Sequence, residues 1–276
     1  MKKEYYVEKR YIKTKNGKMK LLIFCPKHRK GKVPGVLWIH GGGYMTGMAE
    51  MAYFSRAIDV VKCGAVVVAP AYTLSFKKPY PAALEDCYAA LLYLKNHVEE
   101  FNVKSDQIFV GGESAGGGLT AALCMYARDK GTVNIAFQMP LYPMLDSEDT
   151  ESSRNNYGIV WNTWRNHAAW KMYLKELYGK DNVSPYASPS RQTDYSHLPP
   201  AYTFVCEGEP FYCETLTYVE NLKKEGITAY VDVYPGKVHA FDMMMPWRKH
   251  SREAARTFRQ QFLYAKEHYR AEQKER

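Results

Sequence analysis

Short apolar runs alternate with helix-like segments along most of this chain, and this alternation constrains the fold more than any other feature. Residues 33–39 (VPGVLWI) and 65–69 (AVVVA) have the length and composition of buried strands, whereas residues 82–98 place apolar side chains at helical spacing. The other predicted strands are 5–11, 20–24, 107–111, 134–141, 202–206 and 229–234, and the other predicted helices are 115–127, 214–224 and 249–269. Strands that alternate with helices predict an α/β fold, with a mostly parallel sheet covered by helices on both faces.

One segment, residues 147–198, breaks this alternation because no strand-like run interrupts it. Its middle has the spacing of one helix face, formed by Trp170, Tyr173, Leu174, Leu177 and Tyr178. Gly179 is a natural end for that helix. Long insertions between core strands are usually functional, so we predict that residues 147–198 form a cap over the functional site. The alternative is a packed helix that only extends the core.

Length and composition fit a single domain, residues 1–276, that carries this insertion. The chain has 276 residues, of which 46% are apolar and 24% charged, and this is enough for a buried sheet between helical layers. The formal net charge is +9, but the lysines and arginines are scattered. The sequence contains no helix-turn-helix, zinc-finger or RNA-binding signature. We therefore expect a basic surface and no nucleic-acid partner.

The sequence also indicates the setting in which the protein works. No apolar run is long enough to span a bilayer, and the charged start MKKEYY is not followed by the apolar stretch of a secretory signal. The six cysteines form no C-x-x-C pair, which argues against zinc and thioredoxin-like sites. Free thiols fit a reducing compartment. We expect a cytoplasmic protein with no membrane partner, no metal and no cofactor.

Residues 112–116 read Gly-Glu-Ser-Ala-Gly and lie between a predicted strand and a predicted helix. In that context G-x-S-x-G is typical of a nucleophile elbow, a turn so tight that side chains two residues from the serine would collide with backbone. Gly112 and Gly116 remove the collision. The turn presents Ser114 at the carboxyl ends of the strands, where open α/β sheets bind ligands. Because the bare pattern also arises by chance, the strand-turn-helix context carries this interpretation.

A second glycine motif, HGGGY at residues 40–44, follows the strand 33–39. When a serine attacks a carbonyl carbon, the carbonyl oxygen becomes negative, and aligned backbone N–H groups stabilise it. Glycines let the backbone approach closely, so the amides of Gly42 and Gly43, with that of Ala115, are the predicted oxyanion hole. We expect His40 to brace this loop rather than transfer protons. The alternatives are a flexible turn and a phosphate-binding loop, but no Lys-Ser/Thr pair follows, as a P-loop requires.

A nucleophilic serine needs a histidine base, and after a nucleophile elbow the chain order is serine, acid, histidine. The histidines that follow Ser114 are His167, His197, His239, His250 and His268. His239 lies in a predicted loop after the last strand, from which it can reach back over the sheet. The others fall on predicted helices or before a Leu-Pro-Pro run, so His239 is the predicted base.

The acid must lie between the strand 202–206 and His239. The carboxylates in that interval are Glu207, Glu209, Glu214, Glu220, Glu225 and Asp232. Glu207 falls at the strand's end, Glu214 in the first turn of a helix, and the last three within regular elements. Glu209 occupies the turn itself, and Pro210 fixes the backbone after it. Glu209 is therefore the predicted acid, which would orient the histidine and stabilise its cationic form.

Together these motifs resemble the hormone-sensitive-lipase-like branch of the α/β-hydrolases, which includes small bacterial acetyl esterases and carboxylesterases. The resemblance covers nearly the whole chain: HGGGY at 40–44, YPAALED at 80–86, GESAGG at 112–117, LYP at 141–143, Ser-Pro at 184–185 and HAF at 239–241. It implies an α/β-hydrolase fold and ester hydrolysis through Ser114 and His239, with no cofactor.

The chain departs from this family pattern in three places. Thr73-Leu74 stands where the family commonly carries Arg-Leu. Few residues precede HGGGY, which predicts a short N-terminal part of the cap and leaves most of the covering to residues 147–198. The family acid is usually Asp before Pro, whereas this chain has Glu209.

The predicted function is a serine carboxylesterase that hydrolyses acetyl to butyryl esters through an acyl-enzyme. Tyr44, Trp161 and Trp164 are expected to shape a short acyl pocket for a small-molecule ester. An amidase, peptidase or arylformamidase of the same fold is the nearest alternative, and a non-catalytic ligand-binding homologue is another. An interfacial lipase is less favoured because no large apolar flap is evident. The oligomeric state is left open, with a homodimer as one candidate.

Overall fold

An eight-stranded sheet forms the centre of the computed structural model, which describes residues 4–273. The strands are β1 (Tyr5–Thr14), β2 (Gly17–Pro26), β3 (Val33–Ile39), β4 (Val66–Pro70), β5 (Val103–Glu113), β6 (Phe137–Leu141), β7 (Ala201–Cys206) and β8 (Ala229–Tyr234). The helices are α1 (Ala57–Lys62), α2 (Ala82–Asn96), α3 (Ala115–Lys130), α4 (Thr163–Leu174), α5 (Tyr212–Lys224), α6 (Phe241–Met244) and α7 (Lys249–His268). Short 3-10 helices cover Ala49–Tyr53, Lys175–Leu177 and Pro189–Arg191. The predicted α/β fold is confirmed.

The strand order is β1-β2-β4-β3-β5-β6-β7-β8, and the six strands from β4 to β8 in this order run parallel. The first two strands are antiparallel, β1 to β2 and β2 to β4. Both are longer than the sequence predicted. A two-residue turn starts their pairing at Thr14 and Gly17, so backbone hydrogen bonding extends beyond the apolar residues that signal a strand.

The central strands are buried because helices cover both faces of the sheet. All residues of β3 and β4 are buried. Side chains of α2 and α3 pack on one face, including Leu91 and Leu119, and side chains of α1 and α7 pack on the other, including Val61 and Phe258. The parallel strands therefore end together at one edge, where open α/β sheets hold their ligands.

Between β6 and β7 the insertion contains α4 and two of the short 3-10 helices. The sequence pattern predicted one helix face through Tyr178, and this boundary was wrong. The α-helix ends at Leu174, because Lys175 adopts a φ of 51° and a 3-10 turn follows. Trp170 and Tyr173 are buried as the pattern indicates, whereas Tyr178 is only half-buried. The short helices α1 and α6 were not predicted, since six and four residues are too few to show a period.

Candidate active site

Ser114 lies in the turn between β5 and α3, in a conformation that is unusual for a residue with a side chain. Its φ is 58° and its ψ is −120°. A Cβ on Gly112 would lie 2.5 Å from the carbonyl oxygen of Ile39, and one on Gly116 only 2.1 Å from the same oxygen. Side chains at these two positions would therefore collide with backbone that cannot move aside. The glycines allow the turn to hold Ser114 against the end of the sheet.

Three side chains from three separate loops meet at this turn. The Oγ of Ser114 is 2.8 Å from Nε2 of His239. The other ring nitrogen, Nδ1, is hydrogen-bonded to Oε2 of Glu209. All three residues are almost completely buried, with 7%, 4% and 0% exposure for Ser114, His239 and Glu209. A buried carboxylate on Nδ1 fixes the tautomer that leaves Nε2 free to accept a proton from the serine.

Of the six carboxylates that the sequence offered as the acid, Glu209 is the one in contact with His239. Glu207 is exposed, and Asp232 accepts a hydrogen bond from the Tyr202 hydroxyl at 2.7 Å. Glu214 is buried elsewhere, where it accepts the backbone N–H of Leu145 at 2.6 Å. Burial raises the pKa of Glu214 well above its usual range.

Three aromatic rings surround the imidazole of His239. Tyr142 and Phe211 meet it edge to face, with ring centroids 5.2 and 4.9 Å away, and Trp161 is tilted toward it at 6.4 Å. Sequence reasoning did not assign Tyr142 or Phe211 to the site. Their signal in the sequence is their position, since Tyr142 belongs to the LYP motif and Phe211 follows Glu209 and Pro210 directly. These rings leave the imidazole little room to rotate.

The loop 40–44 lies directly beside Ser114. A Cβ on Gly41 would be 3.2 Å from the Cβ of Ser114. Gly42 and Gly43 have φ values of 115° and 60°, which favour glycine. Among the backbone hydrogen bonds of turns and loops in residues 4–273, none has the amide of Gly42, Gly43 or Ala115 as its donor. These N–H groups are available to a ligand oxygen near Ser114.

His40 is packed as a brace for this loop. Its ring stacks on Tyr72 at 4.2 Å, and its Nδ1 lies 2.8 Å from the carbonyl oxygen of Gly41. The Tyr72 hydroxyl donates a hydrogen bond to the backbone oxygen of His40 at 3.0 Å. Burial lowers the pKa of His40 to about 4. A neutral, immobilised imidazole of this kind agrees with the bracing role expected from the sequence.

Of the three residues expected to shape an acyl pocket, only Trp161 lies beside His239. Its Cη2 would be 2.3 Å from a Cβ on Gly43, and its Nε1 donates to Oδ1 of Asn166 at 3.2 Å. The expectation for Tyr44 is corrected, because its backbone φ of 60° directs the ring into the core, where it stacks on Tyr173 at 4.1 Å.

The expectation that Trp164 shapes the acyl pocket is corrected as well. Its side chain is 76% exposed. The buried face of α4 is formed by Asn166, Ala169, Trp170, Tyr173 and Leu174. Because Trp164 lies off that face, it is directed toward solvent rather than toward Ser114. Helical spacing alone did not distinguish Trp161, which precedes the helix, from Trp164, which lies in its first turn.

The insertion is attached to the turn that carries the acid. The Oγ of Ser152 donates to the backbone oxygen of Pro210 at 2.7 Å and accepts the N–H of Cys213 at 3.0 Å. The Nδ2 of Asn156 donates to the oxygen of Gly208 at 3.2 Å. No sequence signal identified these contacts, since Ser152 and Asn156 are ordinary loop residues. They fix the start of the insertion next to Glu209.

Residues 4–273 lack two features that other enzymes use. No three His, Cys, Asp or Glu side chains are arranged so that they could hold a metal ion. No helix in this range combines the length and apolar character needed to cross a bilayer.

A family model described as alpha/beta hydrolase fold matches residues 36–243. The chain belongs to this α/β-hydrolase family. The match includes the loop 40–44, Ser114, Glu209 and His239, and it confirms the hormone-sensitive-lipase-like resemblance of the motifs.

Several relatives of this α/β-hydrolase are named as esterases. Esterase LipI of Mycobacterium tuberculosis is 30% identical over 79% of this chain and 68% of its own length. The arylesterase of Saccharolobus solfataricus is 28% identical over 83% of this chain and 75% of its own length. Among solved structures, a bacterial heroin esterase superposes with a TM-score of 0.90 and 32% identity, covering 95% of this chain and 85% of that one. These relatives place the chain among the carboxylic ester hydrolases.

Proposed function

We propose that this α/β-hydrolase cleaves short-chain carboxylic esters by a serine mechanism, with Ser114 as nucleophile, His239 as base and Glu209 as acid. The observation that carries the proposal is the hydrogen-bonded chain from Ser114 Oγ through both nitrogens of His239 to Glu209. The esterase names of the relatives support ester substrates.

The chemistry follows from these contacts. As Ser114 Oγ forms a bond to the carbonyl carbon, its proton moves to Nε2 of His239, and the carbonyl π electrons become an oxyanion beside the amides of Gly42, Gly43 and Ala115. When this intermediate collapses, the alkoxide leaves with the proton from Nε2 and the acyl group stays on the serine. Water then attacks the acyl-enzyme, again with His239 as base, and the carboxylic acid is released.

Trp161 supports a preference for short acyl groups. Its indole lies against Gly43, and a ring there leaves little depth beside the predicted oxyanion hole. A methylene group that stays in water forfeits up to about 0.8 kcal/mol of binding. We therefore expect acetyl to butyryl esters to be better substrates than octanoyl esters. We also propose that residues 147–198 cap the site, because Trp161, which belongs to this segment, lies against Gly43.

The test compares Ser114→Ala with the wild type on p-nitrophenyl butyrate. The substitution should lower kcat by on the order of 10³–10⁶ and leave the circular dichroism spectrum unchanged. Ser188→Ala removes a completely buried hydroxyl of the insertion, which donates to the backbone oxygen of Leu145, and it serves as the control for lost stability. An alkyl phosphonate should label the wild type once, on the peptide that contains Ser114.

Two results would overturn the proposal: a Ser114→Ala enzyme close to the wild-type rate, or a phosphonate adduct on another residue. An amidase of the same fold would use the same three groups, so the substrate class needs its own comparison. We expect butyryl p-nitroanilide to be cleaved far more slowly than the matching p-nitrophenyl ester. The cytoplasmic location, the absence of a nucleic-acid partner and a homodimer stay predictions.

A further inference from the structure

A second buried polar cluster lies directly behind the triad. Glu113 precedes Ser114 in the elbow, and Asp242 follows His239 by three residues. Both side chains are almost completely excluded from water, with exposures of 2% and 0%. Arg56, at the start of α1, lies between them with a side chain that is 11% exposed. The proposed mechanism assigns no role to any of the three.

Arg56 contacts the elbow and the segment after His239 at the same time. Its backbone N–H donates to Oε1 of Glu113 at 3.2 Å. Its Nε is 3.1 Å from Oδ2 of Asp242, and its Nη1 donates to Oδ2 of Asp59 at 2.6 Å. One residue outside the triad therefore joins the neighbours of the nucleophile and of the base.

The two carboxylates are held differently. Both oxygens of Glu113 accept the indole N–H of Trp38 at 2.9 Å, which attaches this side chain to β3. Neither oxygen of Asp242 receives an aligned hydrogen bond from a described residue. Its electrostatic partners are the guanidinium of Arg56 and the phenol of Tyr142. A buried carboxylate without a counterion is strongly unfavourable, so Asp242 depends on Arg56.

The pKa values of the two carboxylates agree with the pairing of Asp242 and Arg56. Burial, with the negative charge of Asp242, raises the pKa of Glu113 to about 8. Glu113 is therefore mostly neutral near pH 7, and Asp242 is the carboxylate that lies in ion-pair contact with the Arg56 guanidinium. Burial also raises the pKa of Asp242, and the positive charge of Arg56 opposes that rise.

The segment that carries His239 is anchored by the buried ring of Phe241 and by Asp242. Ala240, directly after the base, has a φ of 56°, and α6 is only four residues long. Asp242 lies within that short helix and is its ionic contact with α1. Tyr142 reinforces the link, since its ring packs on His239 and its hydroxyl is directed toward Asp242.

We propose that Arg56 is a positioning residue that sets the distance between Ser114 and His239, acting on the base through Asp242 and on the elbow through Glu113. The proposal rests on the proposed roles of Ser114 and His239. Arg56 touches neither the substrate nor the reacting atoms, so its loss changes the alignment of the base and not substrate binding.

The central test is Asp242→Asn, which keeps the shape of the side chain and removes its charge. Active sites are counted by phosphonate titration, so that unfolded molecules do not enter kcat. We expect kcat per titrated site to fall roughly 10- to 100-fold, the cost of a small misplacement of a catalytic group, with KM within about twofold of the wild type. Unchanged kcat per titrated site would overturn the proposal, because lost stability alone lowers the number of sites.

Asp59→Asn is the matched control. It makes the same chemical change, breaks the ion pairs of Asp59 with Arg56 and Arg259, and leaves the contact of Arg56 with Asp242 in place. We expect kcat per titrated site to stay within about threefold of the wild type, since Asp242 keeps its counterion. A loss as large as that of Asp242→Asn would show that the cluster acts only on stability.

Substitutions of Arg56 supply an independent readout. Arg56→Met should lose about as much kcat as Asp242→Asn, and Arg56→Lys, which keeps a cation, should recover part of that loss. The double variant Arg56→Met/Asp242→Asn should be no worse than the worse single variant, because both changes remove one interaction. If Asp242→Asn does not fold, the comparison of Arg56→Lys with Arg56→Met decides, and equal kcat per site in the two would overturn the proposal.

The same experiments separate this proposal from the proposed function. An active Ser114→Ala enzyme would refute the serine mechanism itself. An inactive Ser114→Ala enzyme, combined with unchanged kcat in the Arg56 and Asp242 variants, would refute only the positioning role.

Discussion

Glu209 and His239 are separated by 30 residues in the chain, and the Glu209 carboxylate binds both the His239 imidazole and the end of the preceding strand, β7. Its Oε2 contacts Nδ1 of His239, and its Oε1 accepts the backbone N–H of Cys206 at 2.8 Å. The side chain thus bends back to β7 while it reaches the imidazole. Both oxygens of this completely buried side chain are satisfied, as a buried carboxylate requires.

Glu209→Gln should lower kcat by roughly 10²–10⁴, because an amide neither fixes the histidine tautomer nor stabilises the imidazolium. Glu209→Asp should keep part of the activity, since the shorter side chain cannot hold Cys206 and His239 equally well. Steady-state kinetics on p-nitrophenyl butyrate measure both. Glu207→Gln, two residues earlier and exposed, is the control and should be silent. The acid is misassigned if Glu209→Gln leaves kcat unchanged while Glu207→Gln or Glu214→Gln lowers kcat strongly.

Trp161→Ala should shift the preference toward longer acyl chains, because it removes the ring that lies on Gly43. Each additional methylene that becomes buried gains up to about 0.8 kcal/mol. The measured quantity is the ratio of kcat/KM for octanoyl and butyryl p-nitrophenyl esters. Trp164→Ala removes the same ring from the solvent-exposed first turn of α4 and should leave the ratio unchanged. Equal effects of the two substitutions would contradict this pocket model.

Gly42→Ala should reduce kcat by on the order of 10²–10³, because it displaces an amide of the proposed oxyanion hole. At this position φ is 115°, and the new Cβ would lie 2.3 Å from the backbone oxygen of Thr46. Gly179→Ala is the control, with a φ of 73° and no atom within 4 Å of the new Cβ. It should cost about 1 kcal/mol of stability and leave kcat unchanged. A Gly42→Ala enzyme that loses only stability would argue against the oxyanion assignment.

Glu113→Gln should flatten the pH dependence of stability. The pKa of Glu113 is raised from 4.5 to about 8 by burial and by Asp242. The folded protein therefore holds a proton that the unfolded chain releases between these pH values. The corresponding stability is complete below about pH 4.5 and is lost as the pH rises toward 8.

Urea unfolding at pH 5, 6.5 and 8 tests whether the stability falls as the pH rises. The free energy of unfolding of the wild type should fall with pH more steeply than that of Glu113→Gln, which cannot ionise at this position. Asp242 and Glu214 also have raised pKa values, so the difference between the two proteins, and not the wild-type slope, reports on Glu113. Parallel slopes would show that Glu113 is ionised in the folded protein.

The α/β fold and the turn that carries Ser114 were predictable because their signals are local. Strand and helix periods lie within ten to twenty residues of chain, and glycine at 112 and 116 reflects a collision within one turn. Chain order then limited the choice of base and acid. Tertiary structure added the partners of these groups, such as Tyr142 and Phe211 around His239, since an aromatic residue has the same periodic signal whether it packs in a core or beside an imidazole.

By itself, the sequence determined the parallel sheet, the elbow and the loop 40–44, and it singled out His239 and Glu209 as candidates, because backbone geometry and chain order restrict each of them. Only the tertiary structure decided which tryptophan lies at the site and that Arg56 joins Glu113 to Asp242. Those contacts connect residues up to 186 positions apart, as the ion pair of Arg56 with Asp242 shows. The direction of a side chain such as Trp161 or Trp164 depends on where a helix begins and what it packs against, and no local pattern encodes that packing.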